Sequence, residues 1–166
     1  AITIYGTNLY VADTSNHRIR KIVISTGVVT TLAGSSSGST DGTGTSAKFY
    51  NPRGITTDGT NLYVSDTNKH KIRKIVIATG VVTTLAGSTS YGSTDATGTS
   101  AKFYNPRGIT TDGTNLYVTD YSNNKIRKIV ISTGVVTTLA GSTSYGSTDA
   151  TGTSAKFYST VGITTD

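Results

Sequence analysis

Asn8-Leu-Tyr-Val-Ala-Asp13 returns as Asn61-Leu-Tyr-Val-Ser-Asp66 and again as Asn115-Leu-Tyr-Val-Thr-Asp120, and this repetition constrains the chain more than any other feature. The closing aspartates recur at an almost constant interval, which Tyr91 lengthens by a single position in its second occurrence. A period of this size marks an array of supersecondary units. Each unit cannot bury its apolar face alone and must stack on its neighbours.

Within the middle unit the sequence reads as four strand-length runs. Gly54-Ile-Thr-Thr57 leads through Asp58-Gly59 to Asn61-Leu-Tyr-Val64, and Asp66-Thr-Asn68 marks a second turn. Lys71-Ile-Arg-Lys-Ile-Val-Ile77 follows, is broken at Thr79-Gly80, and gives way to Val81-Val-Thr-Thr-Leu85. Ile, Val, Thr and Tyr dominate these runs, which suits pleated strands, and Gly, Asn and Asp supply the turns. Ile72, Lys74 and Val76 alternate with Arg73, Ile75 and Ile77, so both faces of the third run carry apolar groups. A strand covered on both faces fits a sheet sandwiched between two others. Four short antiparallel strands at this period predict an all-β chain of β-propeller blades. The blades fall at about 1–52, 53–106 and 107–160, with an extra inner strand over 161–166, all in one propeller segment.

Composition agrees. Hydrophobic residues are 34% and charged residues 14% of the chain, and 19 glycines help fill long Gly/Ser/Thr connectors such as Gly87 to Asn105. There is no Glu and no Cys, so neither a disulfide nor a thiolate metal site is available. No run approaches the roughly 18 apolar residues a membrane helix needs. Ala1-Ile-Thr-Ile-Tyr5 lacks the basic and apolar regions of a signal peptide. A net charge of +6 and a basic isoelectric point permit attraction to polyanions.

The phrases Phe103-Tyr-Asn-Pro-Arg-Gly-Ile109, Gly113-Thr-Asn-Leu-Tyr-Val118 and Asn124-Lys-Ile-Arg-Lys128 together resemble the NHL repeat. The first unit is closer still, since Asp13, Asn16, His17 and Ile19 stand at the offsets of the motif that names the family. The resemblance covers about half of every unit. It implies a propeller that is typically six-bladed and is more often a binding scaffold than an enzyme. Three blades do not close a ring, since propellers use about 4 to 8. Either two copies join head to tail as a homodimer of six blades, or the sequence is a stretch of a longer array.

Antiparallel strands put the connectors and the turn between the second and third strands at one end of the ring. That end gathers Lys69, His70, Lys71, Tyr91 and Arg107. The turn differs most between units, as Thr14 to Arg18, Thr67 to Lys71 and Tyr121 to Lys125, which adds Tyr121 and Lys125 to the candidate binding residues. Arg53 and Arg107 open the innermost strands, where they either face the central opening as an anion site or pair with a neighbouring Asp. Arg20, Arg73 and Arg127 are expected to pair with Asp13, Asp66 and Asp120. Asp41, Asp95 and Asp149 sit in Asp/Gly loops that supply one carboxylate each, which favours Asx turns over calcium. Phe49, Phe103 and Phe157 read as plugs between blades.

Catalytic chemistry finds little support. The two histidines, His17 and His70, occupy one repeat position in separate blades, and Asn124 replaces them in the third. No Gly-x-Ser-x-Gly elbow with a matching base and acid appears, and no Gly-x-x-x-x-Gly-Lys loop. Some NHL-like propellers carry a metal-centred lyase site that depends on converging histidines and acidic ligands, and this chain lacks the histidine set. The expectation is a non-catalytic scaffold without cofactor or metal, at the cell surface or outside it, that binds a macromolecular partner or copies of itself. The alternative is binding of a polyanion, RNA or an acidic glycan, through the basic connector end.

Overall fold

A computed structural model describes residues 1–165. Thirteen strands form three antiparallel sheets among them. In the first blade β1 (Ile2–Tyr5), β2 (Asn8–Asp13), β3 (Arg18–Val23) and β4 (Val29–Ala33) pair in chain order. The second contains β6 (Pro52–Thr57), β7 (Asn61–Asp66), β8 (Lys71–Val76) and β9 (Val81–Gly87), with the short β5 (Gly42–Thr43) added beside β9. The third is β10 (Pro106–Thr111), β11 (Asn115–Asp120), β12 (Lys125–Val130) and β13 (Val136–Gly141).

The turn residues do what their chemistry dictates. Asp58 Oδ1 accepts the amides of Thr60 and Asn61 at 2.8 and 2.7 Å, an Asx turn that reverses the chain between β6 and β7. His70 closes a one-turn 3₁₀ segment, Thr67–Lys69, at φ 58°, and Asn124 holds the same left-handed conformation at φ 54°. Gly87 needs to be glycine twice over. It sits at φ 89°, and a Cβ there would lie 2.4 Å from the His70 carbonyl oxygen.

The core lies between blades. Tyr10, Ile19, Ala33 and Phe49 pack against Leu62, Val64, Ile75 and Val82 of the next sheet. Tyr63, Ile72 and Phe103 repeat the arrangement against Leu116, Val118, Ile129 and Val136. Ile75 thus faces the preceding blade and Ile72 the following one, as the two-sided apolar pattern of the third run requires. Phe49 and Phe103 are fully buried in these seams, in keeping with their reading as plugs.

The first two connectors cross to the blade that follows. Gly42 and Thr43 pair with Val82 and Val81 of the second blade's outer strand, and Thr97 bridges to Val135 of the third. One sequence expectation fails here. Residues 161–165 lie against the third blade, with Thr165 Oγ1 donating to the Thr111 carbonyl at 2.9 Å, but they form no strand. In every blade the inner strand pairs with the Asn-Leu-Tyr-Val phrase that follows it, and none follows Gly162 in this sequence. Position 166 of the expected strand lies outside the described residues.

Candidate functional site

The connectors and the β2–β3-type turns meet at one end, and the turn residues there contact the preceding or following connector. His70 Nδ1 accepts the Asn105 amide at 3.2 Å, and His17 Nδ1 does the same for Asn51. The acceptor role fixes the neutral tautomer with the proton on Nε2. Burial, then the charge of Lys69, pushes the His70 pKa below its ordinary value. Around His70 the rings of Tyr91 and Tyr104 stack on each other at 4.5 Å, and both meet the imidazole edge-on at 5.9 and 5.7 Å. Tyr91 remains 63% exposed, so this aromatic cluster presents a face to solvent.

The basic residues have partners of their own. Lys69 Nζ stands 5.4 Å from the centre of the Tyr50 ring. Lys71 Nζ reaches the Ser39 carbonyl at 3.5 Å, and burial, then the charge of Arg73, pushes its pKa down. The Arg107 guanidinium lies 3.3 Å over Tyr121, a cation–π stack. A bond from the Ser159 side chain, then the charge of Arg107, holds the Tyr121 phenol below its usual range. Arg53 is exposed, and both arginines line an open cleft of about 450 Å³ between the inner strands, with Ile55, Ile109 and Ile163 on its walls. The alternative of an ion pair to a neighbouring Asp fails: no carboxylate among the described residues lies within pairing distance of Arg53 or Arg107. Asp13, Asp66 and Asp120 are committed to the mid-strand arginines, and Asp58 and Asp112 to turns. Lys125, half-buried at the start of β12, forms no ion pair among the described residues.

The mid-strand arginines do pair as expected, and with more partners. Arg73 Nη1 donates to Asp66 at 2.8 Å and to the Lys48 carbonyl at 3.0 Å. Its Nη2 donates to Asp41 at 2.6 Å and to the Thr40 carbonyl at 3.0 Å, and the guanidinium lies 5.0 Å from the Phe49 ring centre. Arg127 repeats this with Asp120, Lys102, Asp95, Thr94 and Phe103. The expected local Asx turn at Asp41 and Asp95 is therefore corrected. Their carboxylates reach forward to the next blade, where they also accept the Thr84 and Thr138 amides, because the connector crosses over that blade's edge.

One guanidinium shared between two carboxylates leaves the buried one undercompensated. Burial pushes Asp66 up to about 6, against the opposing Tyr50 amide and Arg73 charge, and Asp120 moves the same way. At Asp41 burial also pushes upward, but the Thr84 amide and Arg73 outweigh it and hold the group below 3.8. The linkage signs follow. Asp66 contributes stability that is full below 3.8 and lost as pH rises through about 6. His70 opposes it, since its lowered pKa contributes stability that is lost on acidification below 6.5. In a His70→Asn variant, which keeps the left-handed turn as Asn124 does, urea unfolding between pH 3.8 and about 6 is expected to give a higher free energy than at neutral pH. The gain is about 1–2 kcal/mol. Stability that instead falls steadily from neutral pH would count against a raised Asp66.

Nothing in the sequence singles out Tyr50 and Tyr104, although each follows the plug phenylalanine in a phrase that recurs in all three units. The insertion of Tyr91 is the available signal, and its ring stacks on Tyr104. Among the described residues no three His, Cys, Asp or Glu side chains gather as a metal site. No helix of the described residues is long and apolar enough to cross a membrane.

No protein-family model matches the chain. The human NHL repeat-containing protein 2 is 33% identical over 144 residues, which cover 79% of this chain and 20% of that protein. The chicken protein of the same name is 39% identical over 82 residues, covering 49% of this chain and 11% of its own length. The crystal structure of a protein of unknown function from Bacteroides thetaiotaomicron superposes with a TM-score of 0.75 at 27% identity, over 96% of this chain and 40% of that one. The chain thus spans a fifth or less of these curated relatives and two fifths of the solved one. Taken with a blade phrase repeated three times and four-stranded antiparallel sheets whose core lies between them, these similarities place the chain among the NHL-repeat β-propeller proteins.

Proposed function

We propose that the chain is a non-catalytic binding scaffold whose connector end meets a macromolecular partner. The observation that carries this reading is the solvent-facing cluster of Tyr91, Tyr104 and His70, with Lys69 next to His70 and without an acidic partner among the described residues. Exposed aromatic and arginine side chains on a rigid frame are the usual anchors of a binding face. Related proteins carry NHL repeats in their names, and a solved neighbour at 19% identity is described as an auxiliary nutrient binding protein from Bacteroides thetaiotaomicron. The separation of His17 and His70 into different blades supports the absence of catalysis. A Thr/Ser/Gly-rich surface supports a setting at the cell surface or outside it.

The labelled protein on an array of peptides and glycans is expected to mark a subset of spots that Tyr91→Ser with Lys69→Ser abolishes. Spots indifferent to those changes, or no spots at all, would sink the reading.

A second reading, polyanion binding at the same end, is favoured by Arg53 and Arg107, which stand in the inner cleft with no described carboxylate beside them. Retention on immobilised heparin is expected to weaken steeply with added salt, and to drop in the variant with Lys69, Lys71 and Arg107 all changed to Ser. Retention that survives both would rule the polyanion out.

A further inference from the structure

The units are near copies, and several of their departures from one another gather in one place. Thr14 and Thr67 occupy the same turn position, and each hydroxyl donates to a proline carbonyl of the next inner strand, Pro52 at 2.8 Å and Pro106 at 2.7 Å. The third unit has Tyr121 there. It is followed by Ser159-Thr-Val161, where Asn51-Pro-Arg53 and Asn105-Pro-Arg107 stand in the earlier copies. The Ser159 side chain bonds the Tyr121 phenol, and the Arg107 guanidinium covers the Tyr121 ring at 3.3 Å. Arg53 is near enough for its charge to act on the same phenol.

The stack on Tyr121 orients Arg107 and leaves its donors free. A guanidinium lying flat on a ring is held in one plane, and its N–H groups point outward within that plane. Arg107 Nε is shielded from water and has no hydrogen-bond partner among the described residues. Neither Arg53 nor Arg107 has a described carboxylate within pairing distance. Both line the cleft between the inner strands, and each has described segments on either side. β1 and β10 flank β6, while β6 and residues 161–163 flank β10.

Two guanidinium forks and a phenol supply more donors than a planar carboxylate takes up. A phosphate or sulfate group has oxygens enough for all of them, and its charge answers two cations. We propose that Arg53, Arg107 and Tyr121 form a seat for one tetrahedral oxyanion, a phosphate or sulfate group, at the connector end of the inner cleft. The inference rests on the polyanion reading above and gives it a discrete site.

The test titrates inorganic phosphate, and then phenyl phosphate, into the isotope-labelled 166-residue protein at constant ionic strength, with the Tyr121 and Gly108 amides followed by NMR. Saturable shifts at both amides are expected. Arg53→Gln and Arg107→Gln should each weaken the affinity about tenfold or more. Arg107→Lys should weaken it nearly as much, because an ammonium keeps the charge without the fork. Tyr121→Thr installs the residue that the other two units carry, so the fold is kept, and should weaken binding about three- to tenfold. Lys74→Gln removes the same charge from β8, two strands out from β6, and should change nothing. Tighter binding of the monoester identifies the group as the end of a larger ligand, and equal binding identifies the free anion; either supports the seat. Shifts that never saturate, or affinities indifferent to Arg53→Gln and Tyr121→Thr, would overturn it. Heparin retention reports on the whole basic end and the phosphate titration on these three residues, so the two readings fail separately.

Discussion

Arg127→Ala is expected to lower the free energy of unfolding by about 3–5 kcal/mol, measured from the urea midpoint at unchanged slope. The reason lies in what it leaves behind. Arg127 and Asp120 are both fully shielded from water, at 2.8 Å from one another. Without the guanidinium, the Asp120 carboxylate retains Asn123 Nδ2 and the Tyr104 amide but no countercharge. The carbonyls of Thr94 and Lys102 lose their donor as well. Breaking a buried pair from one side costs more than removing both partners. Arg127→Met combined with Asp120→Leu should therefore be less damaging than Arg127→Ala alone. A loss of under about 1 kcal/mol for the single variant would mean that the pair is solvated in solution, which the geometry denies.

Gly54→Ala is expected to cost about 3 kcal/mol or more, at the top of the usual range for overpacking. A Cβ there would stand 2.1 Å from the Arg107 carbonyl oxygen and 2.5 Å from Ser65 Oγ. The first of these is backbone in the next blade's inner strand and cannot step aside without moving β10. Ser65 Oγ itself accepts the Gly54 amide and donates to the Arg107 carbonyl, so the hydroxyl bridge between blades would break too. Gly108→Ala is the control. Its Cβ would meet the Val161 carbonyl at 2.4 Å, but residues 161–165 form no ladder and can yield. Equal melting temperatures for the two variants would refute the idea that inner-strand spacing limits the packing of blades.

The strands are legible because each carries its own signal. Asp58-Gly59 and Thr79-Gly80 punctuate β-branched runs, and the structure turns at both places. The pairing of Arg73 with Asp66 can also be read, since the two recur together in every unit. Contact between units cannot. Asp41 and Arg73 are 32 residues apart, and nothing local to Asp41 says that its connector passes over the next sheet. The aromatic cluster is half legible: the Tyr91 insertion draws notice, whereas Tyr104 looks like an extension of the plug at Phe103. The missing strand over 161–165 has the same origin. Gly162-Ile-Thr-Thr165 repeat an inner-strand sequence, but a strand exists through its partner, and the given sequence holds no partner phrase for it.

The crossing of the first two connectors onto the following blades makes the unit of sequence and the unit of folding fall out of phase. Residues 37–49 are written in the first repeat, yet Gly42, Thr43 and Asp41 complete the edge and neutralise the buried arginine of the second. An isolated repeat would carry an exposed guanidinium at one side and a stray carboxylate at the other, and would forfeit the seam where its core lies. Stability in such a chain is a property of junctions, and grows by one coupling term for each blade added. In the 166-residue polypeptide the second blade, with a junction on each side, should be the last to lose its amide protection.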